Sequence, residues 1–172
     1  MKRILSIFCF FIFSVVGFAQ EKTIFENNKM IMSEFVDSYR NYKDVKIVEV
    51  GSAMTEMLAA KLIESGNESN ARLLRSIESI TIIADGGIDS QLQEGMFNLP
   101  KKCVNYKLIS SINDKGKSSA FYFATHAGIK KCEFLMLVKS DEKNILLYIV
   151  GEFSIKDISA LSELSEGMST KK

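Results

Sequence analysis

The pattern of apolar and polar positions divides the chain into segments of different period. After Met1-Lys2-Arg3 comes an uncharged apolar run, Ile4 to Phe18, which closes on Gly17-Phe18-Ala19-Gln20. Between Phe25 and Tyr42 the residues Phe25, Ile31, Met32, Phe35, Val36, Tyr39 and Tyr42 fall close to intervals of three and four. That spacing predicts a helix with one packed face. Val45, Ile47, Val48 and Val50 form a short β-rich run that stops at Gly51, and Ser52 is placed to cap a second helix through Met54, Met57, Leu58, Leu62 and Ile63. Gly66 to Asn70 reads as a loop, with a helical turn added from Ala71 to Leu74. Ile77 to Ala84 is the next strand, ended by Asp85-Gly86-Gly87. Ser90 and Gln93 then suggest a capping box for a helix that stops near Asn98, since the residue before Pro100 is disfavoured in a helix.

From Cys103 onward the period shortens. Four β-rich runs follow, Val104 to Ile112, Ser118 to Thr125, Lys131 to Lys139 and Asn144 to Phe153, joined by hairpin-sized polar spacers. An antiparallel meander is the natural reading. The last two runs do not alternate, because Phe134, Met136 and Val138 lie opposite Leu135 and Leu137, and Ile145, Leu147 and Ile149 opposite Leu146, Tyr148 and Val150. Strands apolar on both faces are covered on both faces. Either helices flank the sheet on two sides or another chain closes one of them. Ser154 then caps a last helix in which Ile155, Ile158, Leu161 and Leu164 recur every third residue, and a polar tail runs from Gly167 to Lys172. The expected fold is α+β, a mainly antiparallel sheet with a C-terminal four-strand meander packed against amphipathic helices.

The first segment changes what the rest is expected to be. A basic start, a short apolar run and small residues at Gly17 and Ala19 are the parts of a secretory signal peptide cut after Ala19. The run is shorter than the roughly 20 residues that a helix needs to cross a bilayer. Cys9 lies inside it rather than at the cut, which argues against a lipoprotein. The expected division is a signal peptide over 1–19, one α+β domain over 20–166 and a tail over 167–172, with no membrane span in the mature chain. Location is then periplasmic or secreted. Residues 20–172 hold 20 basic and 21 acidic side chains, so the electrostatic basis for nucleic-acid binding is missing.

No catalytic or metal motif emerges, and no cofactor is expected. His126 is the only histidine, and between two strands it reads as a solvated turn residue. Asp85 and Asp89 flank Gly86-Gly87 and suggest a calcium loop, but a strand-to-helix turn accounts for the same residues. Met30, Met32, Met54 and Met57 raise soft-metal binding and read instead as core filler. Lys101 to Lys107 mixes basic and aromatic residues as single-strand nucleic-acid surfaces do, and reads as a solvated strand start. Cys103 and Cys132 remain after cleavage; on the first and third meander strands they are separated by the second, so no intramolecular disulfide is expected.

The strand Val48-Glu49-Val50-Gly51-Ser52-Ala53-Met54, the segment Ile77-Glu78-Ser79-Ile80, the run Glu133 to Val138, and Ile149-Val150-Gly151-Glu152-Phe153-Ser154 with its final helix occur in an order that resembles the DUF4252 family. The resemblance implies an exported protein of Bacteroidota and carries no functional residue onto any position here. The expected function is a non-catalytic binding or interaction module that meets a protein partner, or a second copy of itself, through an apolar sheet face. A carrier of a small apolar ligand and an enzyme using scattered groups such as Asp85, Asp89, Cys103 or His126 stand as alternatives.

Overall fold

The computed structural model describes residues 2–86, 90–114, 116–126, 128–140 and 142–158, with the main chain alone at 2–19, Ser90 and Leu92. Helix α1 spans Lys2–Tyr39, strand β1 Val45–Gly51, α2 Ser52–Glu64, α3 Glu68–Ser76, β2 Ile77–Asp85 and α4 Ser90–Lys102. Strands β3 Lys107–Asp114, β4 Lys117–His126, β5 Lys131–Lys139 and β6 Asn144–Gly151 complete the sheet. A helical turn at 155–158 follows. The fold is α+β, and among the described residues no helix is long and apolar enough to cross a membrane.

The six strands are antiparallel in the order β1-β2-β6-β5-β4-β3. The predicted meander is therefore one half of the sheet, and β6 joins it to the β1–β2 half. Period two sends alternate residues to opposite faces. On one face Ile83, Leu135, Leu137, Leu146, Tyr148 and Val150 pack against Phe25, Met32 and Val36 of α1 and Met96 and Leu99 of α4. The apolar stripe read in the sequence as α1's packed face is the face that docks. On the other face Ile77, Phe134 and Ile149 meet Leu73 of α3 and Phe153, with Ile158 beside them. The two-sided apolar character of β5 and β6 thus has helices behind it on both sides, but the second cover is partial.

Several local expectations are corrected. Gly51, not Ser52, occupies the N-cap of α2, and the α2 residue that anchors the helix is Thr55, whose hydroxyl donates to the Ile77 carbonyl at 3.2 Å. The segment read as a loop with a late turn holds α3, started by Asn67, whose side chain accepts from the Asn70 N–H. Helix α4 runs through Pro100 to Lys102 rather than stopping near Asn98, because packing of Met96 and Leu99 on the sheet outweighs the local penalty. Gln93 donates to the Asn144 side chain at 3.1 Å instead of serving only a local cap, and the Ser90 side chain lies outside the described residues. Strand β3 begins at Lys107, after a turn in which Asn105 takes φ 68°, so Lys101 and Lys102 end a helix rather than start a strand. Met32 is core, but Met30, Met54 and Met57 are each about half exposed. The last turn does start at Ser154, but the side chain that closes it is Asp157, which reaches back to accept from the Ser154 N–H and hydroxyl, both at 2.7 Å. That bond holds the Asp157 carboxyl below its ordinary range. Leu161 and Leu164 lie outside the described residues.

Candidate functional site: a saturated carboxylate under the first helix

Strand β5 carries Glu133, Leu135 and Leu137 on the face toward α1, and it is a central strand, so a charge at Glu133 is fully buried. A buried carboxylate is tolerated only when its acceptor sites are filled. Four side chains fill them. Tyr148 and Tyr106 donate their hydroxyls to Oε1 at 2.6 and 3.1 Å. Asn28 donates its amide to Oε2 at 2.9 Å, and His126 Nε2 lies 2.6 Å from the same oxygen. A carboxylate has about four lone-pair sites, so Glu133 is saturated. The donors come from α1, β4, β6 and the segment before β3, which makes this one glutamate the place where four parts of the chain are tied together.

Each donor is itself positioned. Asn28 occupies the apolar stripe of α1, one turn from Phe25 and Met32, and also brackets Val104, donating to its carbonyl and accepting from its N–H, both at 2.9 Å. His126 ends β4, two residues beyond Ala124, which pairs with Glu133; the alternation therefore sets His126 diagonally opposite the glutamate. Its ring stacks tilted on Phe25 at 5.2 Å between centroids, and its Nδ1 faces Glu21 Oε2 at 3.5 Å without a hydrogen bond. The expectation of a solvated turn histidine is overturned: His126 is 1% exposed. Burial, and after it the Glu133 carboxylate, pushes the Tyr148 hydroxyl far above its ordinary range, and burial does the same to Tyr106. Cys103, at the end of α4 near the same carboxylate, is pushed up to about 12 by burial and by Glu133, with Lys102 opposing. Its thiol is an inert one.

The other sequence candidates fall elsewhere. Asp85 ends β2, buried, and its two oxygens accept from the Asn144 amide at 3.1 and 3.2 Å, so it serves as a strap between β2 and β6. Asp89 lies outside the described residues, and among those described no group of three or more His, Cys, Asp or Glu is placed to hold a metal ion. Cys103 and Cys132 are free thiols. Their separation has a different reason from the one expected: Cys132 packs in the second-face cluster, while Cys103 lies beside Glu133 on the α1 face. Burial also raises the Cys132 thiol.

A cleft of about 250 Å³ between α1, β1 and β2 reaches Tyr148 from the surface past Lys29 and Thr81, but Glu133 is not part of its wall. A second, wider groove of about 810 Å³ lies between α4 and the β3–β4 hairpin, lined by Gln93, Phe97, Asn113, Lys117 and Lys139 among others. The first brings Tyr148 to its wall but neither Glu133 nor His126, and the second is lined by no member of the cluster. In the sequence Glu133 stands at the head of an apolar run and matches no motif. The signal available was its period: a lone acid on the same face as Leu135 and Leu137, one hairpin away from the only histidine.

The chain matches a family model described as a domain of unknown function, DUF4252, over residues 39–161. No curated protein matches it. No solved structure matches it. The matched span takes in all six strands and most of the second-face helical cover, and on that span the chain belongs to the DUF4252 family.

Proposed function

We propose that this chain is an exported, non-catalytic interaction module, cut after Ala19, that binds a protein partner through the second face of its sheet. The observation that carries the reading is a set of apolar cross-strand rows that continue the second-face cluster beyond α3 and Phe153 and are partly exposed. One row runs Val48, Ile82, Leu147, Met136 and Phe121 across five strands, and the next contains Ala84, Ile145, Val138 and, on β3, Ile112. Register makes the residues of the first row direct neighbours, while in the second Ser119 stands between Val138 and Ile112. Val48 is 49% and Ile112 55% exposed at the two ends of the patch, and the residues between are mostly half-buried. An apolar patch of this kind marks an interaction site. Against catalysis stands the chemistry of the ionisable cluster, whose carboxylate is saturated and whose imidazole is sealed under Phe25. A general base has to release an acceptor site to a substrate proton.

The test compares capture by tagged mature protein with capture by a Val48→Glu, Ile112→Glu variant, both residues being exposed enough for the fold to survive. A specific protein retained by the parent and lost by the variant is expected. The same set of proteins on both would refute the face as the binding surface.

A further inference from the structure

We infer that His126 is a proton-operated latch on α1: with both ring nitrogens protonated it ties Glu21 to Glu133, and loss of the Nδ1 proton to solvent lets residues 20–25 lift from the sheet. The latch lies on the α1 face and is independent of the binding role given to the second face. Two buried side-chain atoms without a hydrogen-bond partner carry it, His126 Nδ1 and Glu21 Oε2, which face each other at 3.5 Å. Orphaned buried polar atoms are rare, and two that meet require a physical reason. The surrounding network fixes which protons are present. Glu133 Oε1 accepts from Tyr106 and Tyr148 and its Oε2 from Asn28, so the carboxylate is an acceptor on every side and His126 Nε2, 2.6 Å from Oε2, is the donor. A neutral ring therefore keeps its one proton on Nε2 and turns a bare Nδ1 lone pair toward the Glu21 carboxylate. The imidazolium turns a donor there instead. Closing the gap to the roughly 2.8 Å of a charged N–H···O bond takes a shift of about 0.7 Å, and the Glu21 side chain, 34% exposed, has room to make it.

The charges around the ring leave this role to it. Lys131, opposite His126 in the register, is drawn to Glu78 and Glu152, and Lys29 to Glu78 and the Phe25 ring. Among the described residues the imidazole is thus the one ion-pair partner of both Glu21 and Glu133. Tyr106, Tyr148 and Cys103, the other ionisable groups beside Glu133, are pushed upward by burial and stay neutral while a histidine titrates. Geometry also sets how far the opening runs. Asn28 is held on Val104 by two bonds of 2.9 Å that no imidazole proton touches, so it stays docked. Glu21 and Phe25 lie one turn apart on its N-terminal side, and Phe25 stacks on the His126 ring at 5.2 Å. The opening therefore takes about two turns of helix and lets water reach the imidazole and Glu133. The docked state holds the extra proton, so docking is strongest in acid and weakens as pH rises through the histidine range, about pH 5 to 8.

Amide hydrogen exchange of the full chain, corrected for the intrinsic effect of pH, reads the latch. Protection of the Ile24 to Glu26 amides should fall about tenfold or more over the histidine range, the size of one charge-assisted hydrogen bond, while the amides of Leu135 and Leu137 keep theirs. His126 is the only histidine, so the ring signals of histidine-labelled protein report its protons without ambiguity, and the loss of protection should follow the loss of the Nδ1 proton. Glu21→Gln keeps the side-chain size and the chain's α-amino group, and its amide can meet either form of the ring by turning over. Protection in this variant should not change with pH. Three results would overturn the latch: protection at Ile24 to Glu26 that is level with pH in the parent, a loss that persists unchanged in Glu21→Gln, or a loss at a pH where the ring signals show no change of charge.

Discussion

Replacing Glu133 by alanine removes the acceptor that four side chains share. The Asn28 amide, His126 Nε2 and the hydroxyls of Tyr106 and Tyr148 lose it together, all in or beside the core. An unsatisfied buried donor costs about 1–3 kcal/mol, which for four gives an upper range of about 4–12 kcal/mol. Hydroxyls rotate and water enters the vacated space, and removing the buried charge is itself a relief, so a cost of about 3–5 kcal/mol is expected. That is a large share of the 5–15 kcal/mol typical of a domain. Glu133→Gln keeps the volume and lets the amide face the two tyrosines, whose hydroxyls can accept, and should cost about 1–3 kcal/mol. Urea unfolding followed by circular dichroism gives both values from the midpoint at constant slope. The sharper measurement is a double-mutant cycle with Tyr148→Phe, 2.6 Å from Oε1, for which a coupling of about 1–3 kcal/mol is expected. Should the alanine variant not fold, the Gln and Phe pair supplies the cycle. A cost under about 1 kcal/mol for Glu133→Ala, or additivity within about 0.5 kcal/mol, would refute the hub.

Three further outcomes follow from the same geometry. A Cβ added at Gly151 would lie 2.9 Å from the Ile77 Cα and collide with the Ser76 carbonyl, so Gly151→Ala should cost about 1–3 kcal/mol in thermal or urea unfolding; a neutral result would mean the β2–β6 contact is looser than described. For Cys103, held protonated up to about 12 against an ordinary 9.0, the unfolded chain releases a proton that the fold retains, so stability falls as pH rises between those values, at up to about 1.4 kcal/mol per pH unit for one group. Tyr106 and Tyr148 act in the same direction, and melting curves from pH 8 to 11 should show the gap between the parent and Cys103→Ala narrowing; parallel curves would contradict it. Thiol counting on the unreduced protein should find Cys103 and Cys132 both free, and a bridge between them would contradict their placement on opposite faces.

By itself the sequence determined the elements whose evidence is local. The packed stripe of α1, the extent of β5 from Lys131 to Lys139, the Gly51 and Asp85 strand ends and the order of the meander are all written in period and turn chemistry. Tertiary structure decided what depends on neighbours far along the chain. Pro100 stays helical because Met96 and Leu99 gain more from the sheet than the proline costs, and no local rule contains that sum. Glu133 and His126 looked like a charge in an apolar run and a residue in a turn, since burial is a property of the surroundings and not of the residue. Only the pairing of β4 with β5, and the docking of Asn28 and Phe25 over them, puts the acid, the imidazole and two tyrosines within hydrogen-bonding distance. The same holds for the second face: its apolar rows are visible in the sequence, but which of them α3 and Phe153 cover follows from where the helices land, a choice made by packing across the whole sheet.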